Sequence, residues 1–138
     1  MIADWSQILA QAVRQWTRAS EIDVYSDVNP SREWAGKMTL EFSVRDVKQV
    51  TFLSGDFRRT VYMSAAVRAE TEGRAEQVMN YIRSFALRRA LEKLVGDGLI
   101  GSWAYEELAT SPDVRGLTSG ESFYGYVDFY IVENPERN

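Results

Sequence analysis

The segment from Ser122 to Val132 is the tightest constraint on how this chain can fold. Phe123, Val127, Phe129 and Ile131 alternate with Tyr124, Tyr126, Tyr130 and Val132, and Asp128 is the lone charge. Alternation with a period of two is the mark of a β-strand, and here neither side of the strand is polar. Such a strand belongs in a sheet that is covered on both faces. Helices can supply one cover. The tyrosine side then needs a second: the chain's other helical region, or the surface of another protein, because several clustered aromatics are more than a monomer usually leaves wet.

Two further runs share this period. Met38, Leu40, Phe42 and Val44 alternate with Lys37, Thr39, Glu41, Ser43 and Arg45. Val61, Met63, Ala65, Val67 and Ala69 alternate with Thr60, Tyr62, Ser64, Arg68 and Glu70, with Ala66 the exception. Asp46 to Arg58 lies between them, too long for a two-residue hairpin turn. Either the strands run well past the body of the domain, or the tip is a loop, folded back on the sheet or carrying Phe52 and Phe57 outward. Apolar side chains at a projecting tip are costly in water, so a docking role follows from the second placement.

The helices read from a different period. Trp5, Ile8, Leu9, Ala12, Val13 and Trp16 form one stripe of a helix expected over Asp4–Arg18, with Asp4 and Gln7 placed for a capping box. A second helical region is expected from Arg74 to Asp97. Val78, Tyr81, Ile82 and Phe85 share one face, whereas Leu87, Leu91 and Leu94 fall nearly opposite, since ~100° per residue puts Val78 and Leu87 about half a turn apart. Either two apolar surfaces sandwich the helix or it breaks or bends near Phe85–Arg88; the second reading is favoured. Gly98 and Leu99 suit a Schellman stop against Leu94. Ile22–Tyr25 is a short extended piece, and Ser26–Gly36 is a loop in which Trp34 either tucks back or projects. Ile100–Leu108 is a strand or a turn of helix, and Thr110–Gly120, with Pro112, Gly116 and Gly120, is a loop. The order gives an α+β fold: a mostly antiparallel sheet with a long hairpin, packed by the N-terminal helix and a broken or bent central helix. Residues 1–132 make one domain and 133–138 a flexible tail.

Composition narrows the chemistry. The chain of 138 residues has no cysteine and no histidine, which removes disulfides, thiolate metal sites, cysteine nucleophiles and histidine bases. A net charge of −4 argues against a non-specific grip on nucleic acid. No apolar run approaches the ~20 residues that span a bilayer, and the amino terminus has no basic leader region, so a soluble, non-secreted protein is expected. No dinucleotide, P-loop, zincin, EF-hand or nucleophile-elbow motif occurs. Gly96-Asp97-Gly98 follows a helix and lacks a lysine, which makes it a helix stop. Glu70/Glu72 and Glu106-Glu107 are carboxylate pairs that nothing places in a cleft, and Arg58-Arg59 and Arg88-Arg89 read as surface arginines. No catalytic, cofactor or metal residue is assigned, and an enzyme is not expected.

The arrangement as a whole resembles the tail terminator (neck or tail-completion) proteins of long-tailed bacteriophages. The likeness runs through the leading helix ending near Trp16, Ile22 to Pro30, the long hairpin, Gly55 to Ser64, and Gly73 to Ile100 with Ser84-Phe85-Ala86-Leu87 at its middle. It closes on Leu117 and the strand Phe123 to Phe129. Prolines usual after Ser84 and before Met38 are absent. The resemblance implies a non-enzymatic virion protein, made in the host cytoplasm, that forms a homo-hexameric ring at the head-proximal end of the tail. The ring stops growth of the tube, joins the tail tube protein to the head connector, and lets DNA through without specific binding; no membrane and no cofactor is involved. On that basis Phe52, Phe57 and Arg58 are candidates for axial docking, and Tyr124, Tyr126 and Tyr130 for the subunit interface. The rivals are another phage connector or tail-tube component, and a small cytosolic protein-binding module.

Overall fold

The computed structural model describes residues 4–17, 22–27, 38–106, 113–116 and 123–134, with the backbone alone at 113–116. The Asn29-Pro30 loop, Trp34, Pro112 and Leu117 lie outside the described residues.

Helix α1 spans Trp5–Arg14, and the Asp4 carboxylate accepts the Gln7 N–H at 3.2 Å, which satisfies one of the free amides of its first turn. Trp5, Leu9, Ala10 and Val13 are buried along the apolar stripe. The helix stops before Arg18: the Trp16 and Thr17 amides turn back to the carbonyls of Val13 and Arg14 at 2.9 and 3.2 Å.

The sheet has the order β1 (Asp23–Tyr25), β2 (Thr39–Thr51), β3 (Phe57–Ala69), β6 (Phe123–Glu133), β4 (Ile100–Tyr105). The pair β1–β2 is parallel and the others are antiparallel. A sixth strand, β5 (Asp113–Gly116), shares the outer edge of β6 with β4 and pairs with Phe123 to Tyr126. This corrects the loop expected over 110–120. Gly116 pairs through its backbone, and a short edge ladder needs no side-chain alternation.

The central helix is made of joined pieces, and the irregularity expected near Phe85–Arg88 takes the form of a π-helical turn. Helix α2 (Glu72–Tyr81) passes through a π-helical turn (Ile82–Ala86) into α3 (Leu87–Gly96). Thr71 caps α2 by accepting the Arg74 N–H at 3.1 Å, so the helix starts at Glu72 rather than Arg74. The π turn resolves the split stripe. A wider turn takes about one extra residue, which rotates everything beyond it by ~100° and swings Leu87, Leu91 and Leu94 back toward the side of Val78 and Ile82. Phe85 sits in that turn and is left half-exposed, its ring 5.7 Å from Trp16 and 5.6 Å from Tyr81. At the far end Gly98 takes φ +78°. The amides of Leu99 and Gly98 reach the carbonyls of Leu94 and Val95 at 3.0 Å each, the Schellman arrangement.

The core lies between one sheet face and the helices. Leu40, Phe42, Met63, Phe129 and Ile131 meet Leu9, Val13, Met79, Ile82, Leu87 and Leu91, and Phe42 and Phe129 meet edge to face at 6.5 Å. Gly125 lets α2 approach β6: a Cβ there would sit 1.8 Å from Met79 Sδ and 2.9 Å from its Cγ. Gly125→Ala is therefore expected to cost about 1–3 kcal/mol by overpacking, measured by urea unfolding, and adding Met79→Ala should relieve that clash.

On the opposite face stand Thr39, Glu41, Ser64 and Arg68, polar residues that alternate with the apolar rows of β2 and β3. All four are buried. Thr39 Oγ1 donates to Glu41 Oε2 at 3.0 Å and the Tyr124 hydroxyl donates to Oε1 at 3.3 Å, while the Arg68 guanidinium lies 5.6 Å from the Tyr124 ring centre. A buried carboxylate needs such donors. The carboxy-terminal boundary also moves: β6 includes Glu133, and Asn134 Nδ2 donates to the Gly98 carbonyl at 2.8 Å, so the fold extends through Asn134 rather than ending at 132. Residues 135–138 lie outside the described residues.

Candidate functional site

The strands of the long hairpin run on past the helices, as the first of the sequence alternatives had it. Every residue from Val44 to Arg58 is exposed, whereas Val61 and Met63 are buried. Asp56 lies five positions before Val61, so the arm reaches about 15–20 Å beyond the core. Its tip is a five-residue loop, Phe52–Asp56, closed by the Phe52 amide on the Asp56 carbonyl at 2.7 Å and the Gly55 amide on the Phe52 carbonyl at 2.9 Å. Gly55 at φ +93° makes the left-handed step that an L side chain resists.

The arm carries six of the nine large exposed apolar side chains among the described residues; the others are Phe85, Val95 and Leu99 on the central helix and its end. Leu53 is fully exposed at the tip, Val50 is 57% and Phe52 47% exposed, and Val44, Val47 and Phe57 follow near 40%. Cations lie over its rings: Arg58 is 5.9 Å from the Phe52 centroid, Arg59 5.5 Å from Phe57 and Lys48 5.1 Å from Tyr62. Phe52, Phe57 and Arg58 are thus brought together. Leu53, Val50 and Lys48 join them. Their signal in the sequence was an apolar spacing of three, Val47 to Val50, where a continuous strand face would show two.

The root of the arm is braced. A β-bulge between Val44 and Asp46 turns the strand there. Arg45 Nη2 pairs with Glu106 at 2.5 Å and also reaches the Met63 carbonyl at 3.4 Å; Arg45 Nε lies 3.8 Å from Asp128, which itself accepts from Ser64 Oγ at 2.5 Å. On the other edge Glu133 joins three elements, accepting the Trp5 indole N–H at 2.6 Å and pairing with Arg59 at 3.3 Å.

The three tyrosines separate. Tyr124 is buried inside the chain, packed against Glu41 and Arg68, and burial raises its hydroxyl well above the usual tyrosine range. It offers no surface to another subunit, which corrects its place among the interface candidates. Tyr126 and Tyr130 keep intermediate exposure. Tyr126 lies 5.9 Å from the Tyr124 ring and Tyr130 5.8 Å from Tyr62. The largest exposed apolar side chains are on the arm, not on the closing strand. Trp103, at the edge of the sheet, is half-buried with its ring 5.3 Å from Tyr105, whose hydroxyl donates to the Arg83 carbonyl and is pushed up to about 12 by burial. Among the described residues no group of three or more acidic, histidine or cysteine side chains comes together as metal ligands, and no helix is long and apolar enough to cross a membrane.

No protein-family model and no curated protein sequence matches the chain. Among solved structures, it is similar to a chain in the virion of a native gene transfer agent particle, with a TM-score of 0.55 and 15% identity over 93% of this chain and 92% of that one. At that identity the likeness establishes a shared fold, nearly end to end.

Proposed function

We propose that this chain is a structural subunit of a phage-like particle, and within that class a tail terminator or neck protein. In this reading copies close into a ring, a homo-hexamer as the sequence resemblance implies, at the head-proximal end of a tail, between the tail tube protein and the head connector. It works by contact rather than catalysis, needs no cofactor, and lets DNA pass. The braced arm with Phe52, Leu53, Phe57 and Arg58 at its tip is the observation that carries the proposal. A ribbon that leaves this much apolar surface in water has its use in docking. The end-to-end fold likeness to a gene transfer agent virion chain supports the same reading. So does the net charge of −4, which keeps a ring around a channel from gripping a moving polyanion.

The test is loss of the chain from its particle, imaged by negative-stain electron microscopy. Overlong tails or tails not joined to heads are expected. Absence of tails altogether would mark a tube protein, and normal particles would remove the virion role.

A further inference from the structure

The arm and the opposite end of the molecule carry unbalanced charge of opposite sign. Residues 45–62 hold Arg45, Lys48, Arg58 and Arg59 against Asp46 and Asp56, so the arm is net +2 and the rest of the chain, within a total of −4, is net −6. Two of these cations are already engaged by carboxylates: Arg45 with Glu106 and Arg59 with Glu133. Arg58 and Lys48 lie over the rings of Phe52 and Tyr62, and among the described residues no carboxylate pairs with either. At the other end of β3, Glu70, Glu72 and Glu76 are exposed around the start of α2, and among the described residues no cation pairs with any of them. Arg74, the one base among them, donates to Gln77 Oε1 at 2.6 Å. Phe123, paired with Ala69 at this same end, keeps part of its ring exposed.

These two ends cannot meet within one molecule. Arg58 and Glu70 are twelve residues apart on and just past one continuous strand, which separates them by about 40 Å. Unpaired charges of opposite sign that far apart on a stiff element are complementary only between copies. Resting on the reading of the arm as a docking element, we infer that its occupant is a second copy of this chain: the tip of one molecule docks on the acidic start of α2 of the next. The contact is head-to-tail, so it repeats from copy to copy and closes into a ring or runs on as a filament. Arg58 and Lys48 meet the glutamates, and Phe52 and Leu53 leave water beside Phe123. Exposed charges attract over about a Debye length, roughly 10 Å at 0.1 M salt, so the association weakens as salt rises.

The absence of cysteine from the chain allows a clean covalent test. The Arg58→Cys, Glu72→Cys double variant, oxidised at micromolar concentration in ~50 mM salt, is expected to give a ladder of dimers and higher multimers on a non-reducing gel. An equal mixture of the two single variants should stop at the dimer, and ~500 mM salt should cut both yields several-fold. Multimers from the double variant no more abundant than from either single variant alone would overturn the head-to-tail contact. That failure would leave the docking role of the arm standing, because the effect of tip variants on particle assembly does not depend on which partner the tip meets.

Discussion

Phe129→Ala is expected to lower the stability of the fold by about 3–5 kcal/mol, the cost of removing a fully buried aromatic ring. Phe129 has no exposed surface, pairs with Met63 on β3 and Tyr105 on β4, and meets Phe42 edge to face. It stands where three strands and the helix layer converge. Domains of this size are stable by about 5–15 kcal/mol, so the variant gives up a large share of the total. The urea midpoint should fall with little change in slope, and the melting temperature should drop by roughly 10–25 °C. Phe57→Ala is the internal control. That ring is 40% exposed on the arm and outside the core, and its loss should cost about 0.5 kcal/mol or less. Equal effects of the two substitutions would mean that the sheet does not bury β6 as described.

Period-two runs and helical stripes were enough to place β2, β3, β6 and both helical regions, because they report directly which side chains leave water; Ile22–Tyr25 read as a short extended piece, and Ile100–Leu108 stayed open between a strand and a turn of helix. Three features escaped that logic. The bulge at Arg45 changes which residues share a face of the hairpin, so alternation read straight through Val44 loses its meaning beyond it. The π turn at Ile82–Ala86 keeps one stripe on one side of a helix whose sequence, read at a fixed 3.6-residue period, places it on two. Glu41 and Arg68 are charged residues at alternate strand positions, the usual sign of an outward face, yet they are buried with Thr39 and Tyr124 as hydrogen-bonding or ring neighbours. Periodicity separates two faces; it does not say that the second one is wet. The four-residue β5 is too short to carry a period at all.

The same distinction bears on the docking surface. Tyr124 looked like interface because it lies on the tyrosine-lined side of the closing strand, which needs a cover, but its hydroxyl had a partner 83 positions earlier in the chain. Phe52 and Leu53 looked like a loop tip and are one, held at the end of a ladder that pairs from Thr39–Arg68 out to Thr51–Phe57. Partners distant in sequence decided the first case and local chain reversal the second.

Phe52→Asp is the substitution that separates folding from assembly. Phe52 touches nothing in the core: its ring is 47% exposed and its aromatic contact is the cation of Arg58. The backbone bonds that close the tip use the Phe52 amide and carbonyl, which aspartate also provides. The melting temperature is therefore expected to change by no more than a degree or two. Docking is another matter. Burying a phenylalanine ring contributes about 1.5–3 kcal/mol, and an aspartate in the same seat must instead lose its hydration. Each contact weakens by roughly 10–100-fold or more, and in a closed ring the loss recurs at every subunit. Particles carrying the variant should fail to join heads to tails, while Phe52→Leu, which keeps an apolar side chain at the tip, should restore most of the yield. Normal joining by a folded Phe52→Asp protein would remove the arm from the docking surface, whichever neighbour that surface was thought to meet.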